Sequence, residues 1–264
     1  IIQRYDCNYL IIIITQGEGL LLETKILNEQ TIIYYFQNEI NPEIFQHVQV
    51  ATEYIKQQDI PAILEVIPSY RAIMLTIDIT KDKPQNIINQ LQLDTLNLNN
   101  TEVNQPKRII NIPVCYGGDY GPDLEEVAAV HNLSTTQVID LHTKEDYLIY
   151  LLGFMPGFPF LGGLSSQLHT PRRSEPRTQI PAGSVGIANN QTGLYPKSSP
   201  GGWQIIGQTP IEVFNIERQP MCLYQPGNYI HFYSITTEEF QHIVEQQSAG
   251  NYNYEGLVTL TDEY

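Results

Sequence analysis

The chain has 264 residues, 42% of them apolar, enough for one large domain or two small ones with separate cores. Only 16% are charged, and 29 acids against 14 bases give a formal charge of -15, so coiled coil, charge-rich disorder and a nucleic-acid or anionic-membrane surface are poor fits. Cys7, Cys115 and Cys222 stand far apart with no C-x-x-C pair, and Ile1 opens no signal-peptide pattern, so a reduced, cytoplasmic setting is expected.

From the start to about residue 94 the pattern is ordinary α+β. Tyr9 to Thr15, Leu20 to Leu27 and Thr31 to Gln37 read as strands, rich in Ile, Leu and Tyr and bounded by Gly17, Gly19 and Asn28. Asn41 as cap and Pro42 at the first turn open a helix whose Ile44, Val48, Ala51 and Ile55 share one face. Strands follow at Ile63 to Ile67 and Ala72 to Ile79, then a short helix from Pro84 to Leu93. This order allows a sheet with its helices on one face. Asp94 to Lys107, rich in Asn, reads as a linker.

The second half begins with a strand from Arg108 to Val114 and two helices, one opened by Gly121-Pro122, the other by a Ser134/Gln137 capping box. Tyr147 to Leu164 carries no charge and approaches membrane-span length, but Pro156, Pro159 and its glycines favour a buried strand followed by a loop. Residues 153 to 207 hold more than half of the 18 glycines, which excludes long helices. Short strands at Ser184 to Asn189, Trp203 to Ile206, Ile211 to Phe214 and Tyr229 to Tyr233 point to a barrel or sandwich. Thr236 with Glu239 caps a last helix, and the acidic tail beyond Ala249 is either an extra strand or a loose end.

Standard catalytic motifs are mostly absent. Gly157 to Gly162 has phosphate-loop spacing, but Gly163-Leu164 replaces the required Lys-Ser/Thr; Ala182 to Gly186 approximates a nucleophile elbow but starts a strand. The histidines show no metal-ligand spacing. The informative feature is a cationic, proline-stiffened loop: Arg172, Arg173, Arg177 and Lys197, opposed between 172 and 197 only by Glu175. Arginine forks suit a carboxylate or phosphate ligand, and equally the protein's own surplus acids. Gln191, Thr192, Tyr195, Ser199, Trp203 and Gln204 supply hydrogen-bonding and stacking groups around it. His142, at a helix end, is the candidate catalytic residue, against a capping or core role. Phe154, Met155, Phe158 and Phe160 form either buried packing or a patch for another polypeptide.

Five runs in one order carry a family resemblance: Gly153-Phe154-Met155-Pro156-Gly157-Phe158-Pro159-Phe160-Leu161; Thr170-Pro171-Arg172-Arg173 with Pro176-Arg177; Ile180-Pro181-Ala182-Gly183-Ser184-Val185; Gln191-Thr192-Gly193-Leu194-Tyr195-Pro196; and Ser199-Pro200-Gly201-Gly202-Trp203. With Pro113 to Gly118, Gly121-Pro122-Asp123-Leu124 and Leu141-His142 upstream, the chain resembles the 5-oxoprolinase B-subunit family, also called KipI or allophanate hydrolase subunit 1, a carboxyltransferase-domain (subdomain C and D) family.

The resemblance implies a ferredoxin-like α+β domain over 1–100 and a mainly-β cyclophilin-like barrel over 108–264. It implies an ATP-dependent conversion of a small carboxylate, 5-oxo-L-proline, to L-glutamate. A separate 5-oxoprolinase C subunit would be the direct partner, with an A subunit, and the ATP site would lie on or be shared with those partners. Substrate-binding residues are expected at Arg172, Arg173, Arg177, Gln191, Thr192, Tyr195, Ser199, Trp203 and Gln204, with no metal in this chain. The same kinship offers two alternatives, a KipI-type inhibitor of a sensor histidine kinase and a carboxyltransferase subunit related to urea carboxylase or allophanate hydrolase. Ile1 to Leu27 and the tail after Ser234 are longer than the family pattern, and Phe160 stands where tyrosine is common.

Overall fold

A computed structural model describes residues 2–4, 11–16, 21–39, 41–96 and 106–261. The chain divides into two compact units, Ile1–Asn104 and Gln105–Tyr264.

In the first unit β1 (Ile2–Arg4), β2 (Ile11–Gln16), β3 (Leu21–Asn28), β4 (Thr31–Tyr35), β5 (Ile63–Pro68) and β6 (Ala72–Ile77) are the described strands of one antiparallel sheet, ordered β1-β2-β3-β4-β6-β5. Period-2 alternation buries Ile32 and Tyr34 from β4 and Ile73, Leu75 and Ile77 from β6. Helix α1 (Pro42–Gln57) starts where Asn41 Oδ1 accepts the Ile44 amide at 2.8 Å. Its face of Ile44, Val48, Ala51 and Ile55 is buried, and it packs against β5 and β6. Helix α2 (Pro84–Leu91) buries Ile87 and Leu91. The sequence reading places no strand at β1; the other elements match it. Tyr9, Leu10, Gly17, Gly19 and Leu20, with residues 97–105 of the expected linker, lie outside the described residues.

The second unit runs β7 (Lys107–Tyr116), α3 (Leu124–Val130), α4 (Thr135–Thr143), β8 (Asp146–Leu152), β9 (Pro159–Gly162), β10 (Arg177–Ile180), β11 (Ser184–Ala188), β12 (Gln191–Leu194), β13 (Ser199–Gly201), β14 (Gln204–Gln208), β15 (Tyr229–Ser234), α5 (Thr237–Ser248) and β16 (Val258–Thr261). The sheet order is β12-β11-β14-β7-β15-β8-β9, with β16 also on β7. Its two end strands, β12 and β9, lie side by side, so the sheet is nearly closed on itself like a barrel. Strand β7 joins the halves: it pairs β15 in parallel along Ile109 to Val114, β16 at its start and β14 at Cys115 and Tyr116. Ile110, Ile112, Val114, Val185, Ile187, Leu194, Ile206, Ile230 and Phe232 fill the interior. A separate two-stranded ladder, β10 with β13, carries Arg177 opposite Gly201.

Both expected capping boxes form, Ser134 with Gln137 and Thr236 with Glu239. The uncharged stretch is β8, a turn and β9, and no described helix is long and apolar enough to cross a membrane. One expected strand is corrected. Ile211 to Phe214 joins no ladder; Pro210 offers no amide, and a bridge between Phe214 and Cys222 is its pairing. Its alternation reports buried Ile211 and Val213 in an extended loop. Of the tail, Val258–Thr261 forms the extra strand, β16, which adds to β7.

Candidate functional site

Asp123 occupies the N-cap position of α3, where an aspartate usually accepts an amide of the first helical turn. Here no such side-chain cap forms. Gly121 packs so closely on the Ile206 carbonyl oxygen that a Cβ there would collide with it, and this contact brings Asp123 against β14. The Asp123 amide donates to Ile205 O at 2.9 Å, and the Ile205 amide donates to Asp123 Oδ2 at 2.6 Å. The carboxylate, 2% exposed, then receives the arginine loop: Arg173 Nη1 donates to Oδ1 at 2.9 Å, Arg177 Nη1 to Oδ2 at 2.8 Å and Arg177 Nη2 to Oδ1 at 2.7 Å. Glu126, 3.8 Å from Arg173 Nη1 and exposed, adds little.

Arg172 differs from its neighbours. It is exposed, pairs with no carboxylate among the described residues, and places its guanidinium carbon 5.7 Å from the centroid of the Trp203 ring. The indole is buried and meets Phe158 and Tyr195 edge to face at centroid distances of 5.6 and 6.2 Å. Burial pushes the Tyr195 phenol up to about 12, so it stays neutral at ordinary pH. Its hydroxyl comes so near Gly201 that a Cβ there would lie 2.5 Å away, which is why only glycine fits.

The backbone on both sides of Arg172 is anchored. Gln204 Nε2 donates to Pro171 O at 3.2 Å, and the Arg173 amide donates to Gly202 O at 2.8 Å. Gln204 Oε1 and Arg173 Nε are both buried without a hydrogen-bond partner, two of the four such side-chain atoms among the described residues.

His142 belongs to a different place. It is fully buried, with Nδ1 2.8 Å from the Tyr116 hydroxyl and Nε2 2.7 Å from Thr192 Oγ1, while Thr192 Oγ1 also donates to Gly186 O at 3.2 Å. A self-consistent set of donors has Nε2-H on Thr192 and the Tyr116 hydroxyl donating to Nδ1. Burial drives the imidazole pKa down to about 3, so the ring is neutral. It ties α4 to β12 and β7 inside the barrel.

The structure therefore gathers Arg172, Arg173, Arg177, Tyr195, Trp203 and Gln204, and sets Thr192 apart with His142. Ser199 turns its hydroxyl to Pro200 O at 3.2 Å, and Gln191 opens β12. Sequence reasoning missed the role of Asp123. The sequence signals only that neighbouring arginines can pair with an acid; which acid is set by the packing of Gly121 on β14, since Asp123 lies 50 positions from Arg173. Of the aromatic run singled out in the sequence, Phe158 is buried, whereas Phe154 is 70% exposed and sits at a φ of 68°, a left-handed backbone that a bulky side chain rarely adopts. Among the described residues no group of three or more His, Cys, Asp or Glu is arranged to hold a metal ion.

The family model described as "Carboxyltransferase domain, subdomain C and D" matches residues 22–224. A Bacillus subtilis protein named as the B subunit of 5-oxoprolinase is 42% identical over 233 residues, covering 84% of this chain and 96% of that protein. An Escherichia coli O157:H7 protein of the same name is 45% identical over 175 residues, covering 66% of this chain and 79% of its own length. The crystal structure of TTHA0988 superposes with a TM-score of 0.69 at 31% identity over 79% of this chain; the chain spans 40% of that one. Kluyveromyces lactis urea carboxylase shares the fold, with a TM-score of 0.74 at 17% identity over 97% of this chain and 25% of that one.

Proposed function

The chain belongs to the carboxyltransferase-domain family of subdomains C and D, and from that premise we propose that it is the B subunit of an ATP-dependent 5-oxoprolinase, a hydrolase that opens 5-oxo-L-proline to L-glutamate. The observation that carries this reading is the identity of 42% to a protein named as the B subunit of 5-oxoprolinase, along 96% of that protein's length. Within it, residues 1–100 form the ferredoxin-like domain and 108–264 the cyclophilin-like barrel. The direct partner is the C subunit, with the A subunit forming the rest of the enzyme in the cytoplasm. ATP is a co-substrate of the whole assembly, held on or shared with those partners.

What this chain's residues do follows from their commitments. Arg177 has both ends of its fork on Asp123 and keeps the loop in place. Arg172 offers a guanidinium that no carboxylate occupies among the described residues, oriented by the Trp203 face, and takes the substrate carboxylate. Tyr195 and Gln204 present neutral polar groups beside it. His142, sealed in the barrel and neutral, holds strands in register and does not carry a proton to substrate. A lactam is a stable amide, so the partners must supply its activation, and this chain binds and orients. Arg172, Trp203 and Phe154 face solvent or border exposed positions where a covering partner would meet them.

Reconstitution tests the reading. The A and C partners together with this chain are expected to release glutamate from 5-oxoproline in step with ATP hydrolysis; if the mixture lacking the chain performs equally well, the assignment fails. Relatives named for urea chemistry are distant, at 22% identity for a putative urea carboxylase of Emericella nidulans, which favours the oxoprolinase reading over a urea carboxylase one. For the kinase-inhibitor alternative, exposed Phe154 is the feature that would serve, and it serves docking of an enzyme partner equally.

A further inference from the structure

The Asp123 carboxylate accepts four donors: Arg173 Nη1, Arg177 Nη1, Arg177 Nη2 and the Ile205 amide. A carboxylate has about four lone-pair sites, so this one is saturated. Charge is not balanced with it. One buried anion faces two guanidinium groups, and Arg173 keeps a buried Nε that no partner satisfies. The bonds also join three separate pieces of chain, the start of α3, the arginine loop and the first residues of β14. Arg172 inherits its position from them, because Pro171 is held by Gln204 and Arg173 by both Gly202 and Asp123.

We infer that Asp123 is a positioning and specificity-determining residue: it neutralises one of the two guanidinium groups that it holds, so that the Arg173–Arg177 pair adds one positive charge beside Arg172 and not two. Naming the anion as a carboxylate rests on the oxoprolinase reading; the charge argument does not. Without the aspartate, two half-buried guanidinium forks would keep only exposed Glu126, 3.8 Å from Arg173, as a counter-ion, and a sulfate or phosphate, with tetrahedral oxygens and two charges, would be the better occupant. The aspartate thus disfavours inorganic phosphate, a product of ATP hydrolysis, at this loop.

Trp203, the chain's single tryptophan, lies under Arg172 and reports binding by its fluorescence. The full chain, as wild type and as Asp123→Asn, is titrated with sulfate, inorganic phosphate and 5-oxoproline, with circular dichroism to establish that both are folded. Asp123→Asn is expected to bind sulfate and phosphate at least tenfold more tightly than wild type and to lose its preference for 5-oxoproline. Asp123→Asn combined with Arg177→Gln, which restores the original charge, is expected to lose the gained affinity. A folded Asp123→Asn chain with unchanged sulfate and phosphate affinity overturns the inference, as does equal behaviour of the single and double variants. Should Asp123→Asn fail to fold, Arg177→Gln alone decides: it leaves a neutral Arg173–Asp123 pair beside Arg172, and 5-oxoproline affinity should fall at least threefold, an unchanged value being contrary. Absence of 5-oxoproline-dependent ATP hydrolysis by the complete enzyme would remove the functional reading and leave the anion titration intact.

Discussion

Substituting Arg177 and Arg172 is expected to separate stability from binding. Arg177→Ala removes two charge-assisted bonds from a buried carboxylate and should destabilise the second unit by about 1.5–3 kcal/mol, read from denaturant unfolding. The fork is partly exposed, which keeps the loss below that of a fully buried pair. Arg172→Ala gives up only a stacking contact with Trp203, so unfolding should shift by less than about 1 kcal/mol. His142 gives a pH signature. Its folded pKa is about 3 against an ordinary 6.5, so between those values the unfolded chain binds the extra proton. Stability therefore falls as pH drops from 6.5 toward 3, and His142→Gln should flatten that limb relative to wild type while being weaker at pH 7. An identical slope in both chains would remove the buried-neutral assignment. The cationic loop was legible in the sequence because its arginines are neighbours in the chain. Their acid was not, since Asp123 lies 50 and 54 positions away and only the packing of Gly121 on β14 brings it in.

Local rules carried most elements. Asn41, Ser134 and Thr236 cap the helices their sequence context announces, because each bond is made within three residues. The segment from Ile211 to Phe214 misled because alternation records which side chains are buried and is silent about whether a neighbouring strand is present. The turn before β9 is where element geometry leaves a measurable trace. Phe154 holds a left-handed backbone, and its ring rests edge-on against Phe158 at 5.6 Å. Both Phe154→Ala and Phe154→Gly lose the ring, but only glycine also relieves the backbone, so Phe154→Gly should be the more stable of the two by about 1 kcal/mol. The usual order, alanine above glycine, would show that the turn does not need positive φ. Gly121→Ala should do the opposite, costing about 2 kcal/mol or more, since a methyl there meets backbone that cannot step aside; wild-type stability in that variant would refute the close approach.

At the scale of the molecule, short strands separated by Gly and Pro announced a closed or layered β-structure, but not its order. Parallel pairing of β15 with β7 and the return of β16 to the same strand join residues more than a hundred positions apart, and no local pattern encodes such partners. The same limit applies to the site, where Tyr195, Trp203 and Arg172 converge from separate loops onto a ladder whose Gly201 must be small. The anchored arginines make the loop rigid, and the unanchored one makes it useful. The most direct test is the steady-state response of the complete enzyme to 5-oxoproline with wild-type or Arg172→Ala chain. We predict a KM raised at least tenfold, corresponding to about 1.5–3 kcal/mol of lost carboxylate binding, with the melting temperature unmoved. A KM equal to wild type in a folded, assembled enzyme would contradict the claim that this arginine receives the substrate.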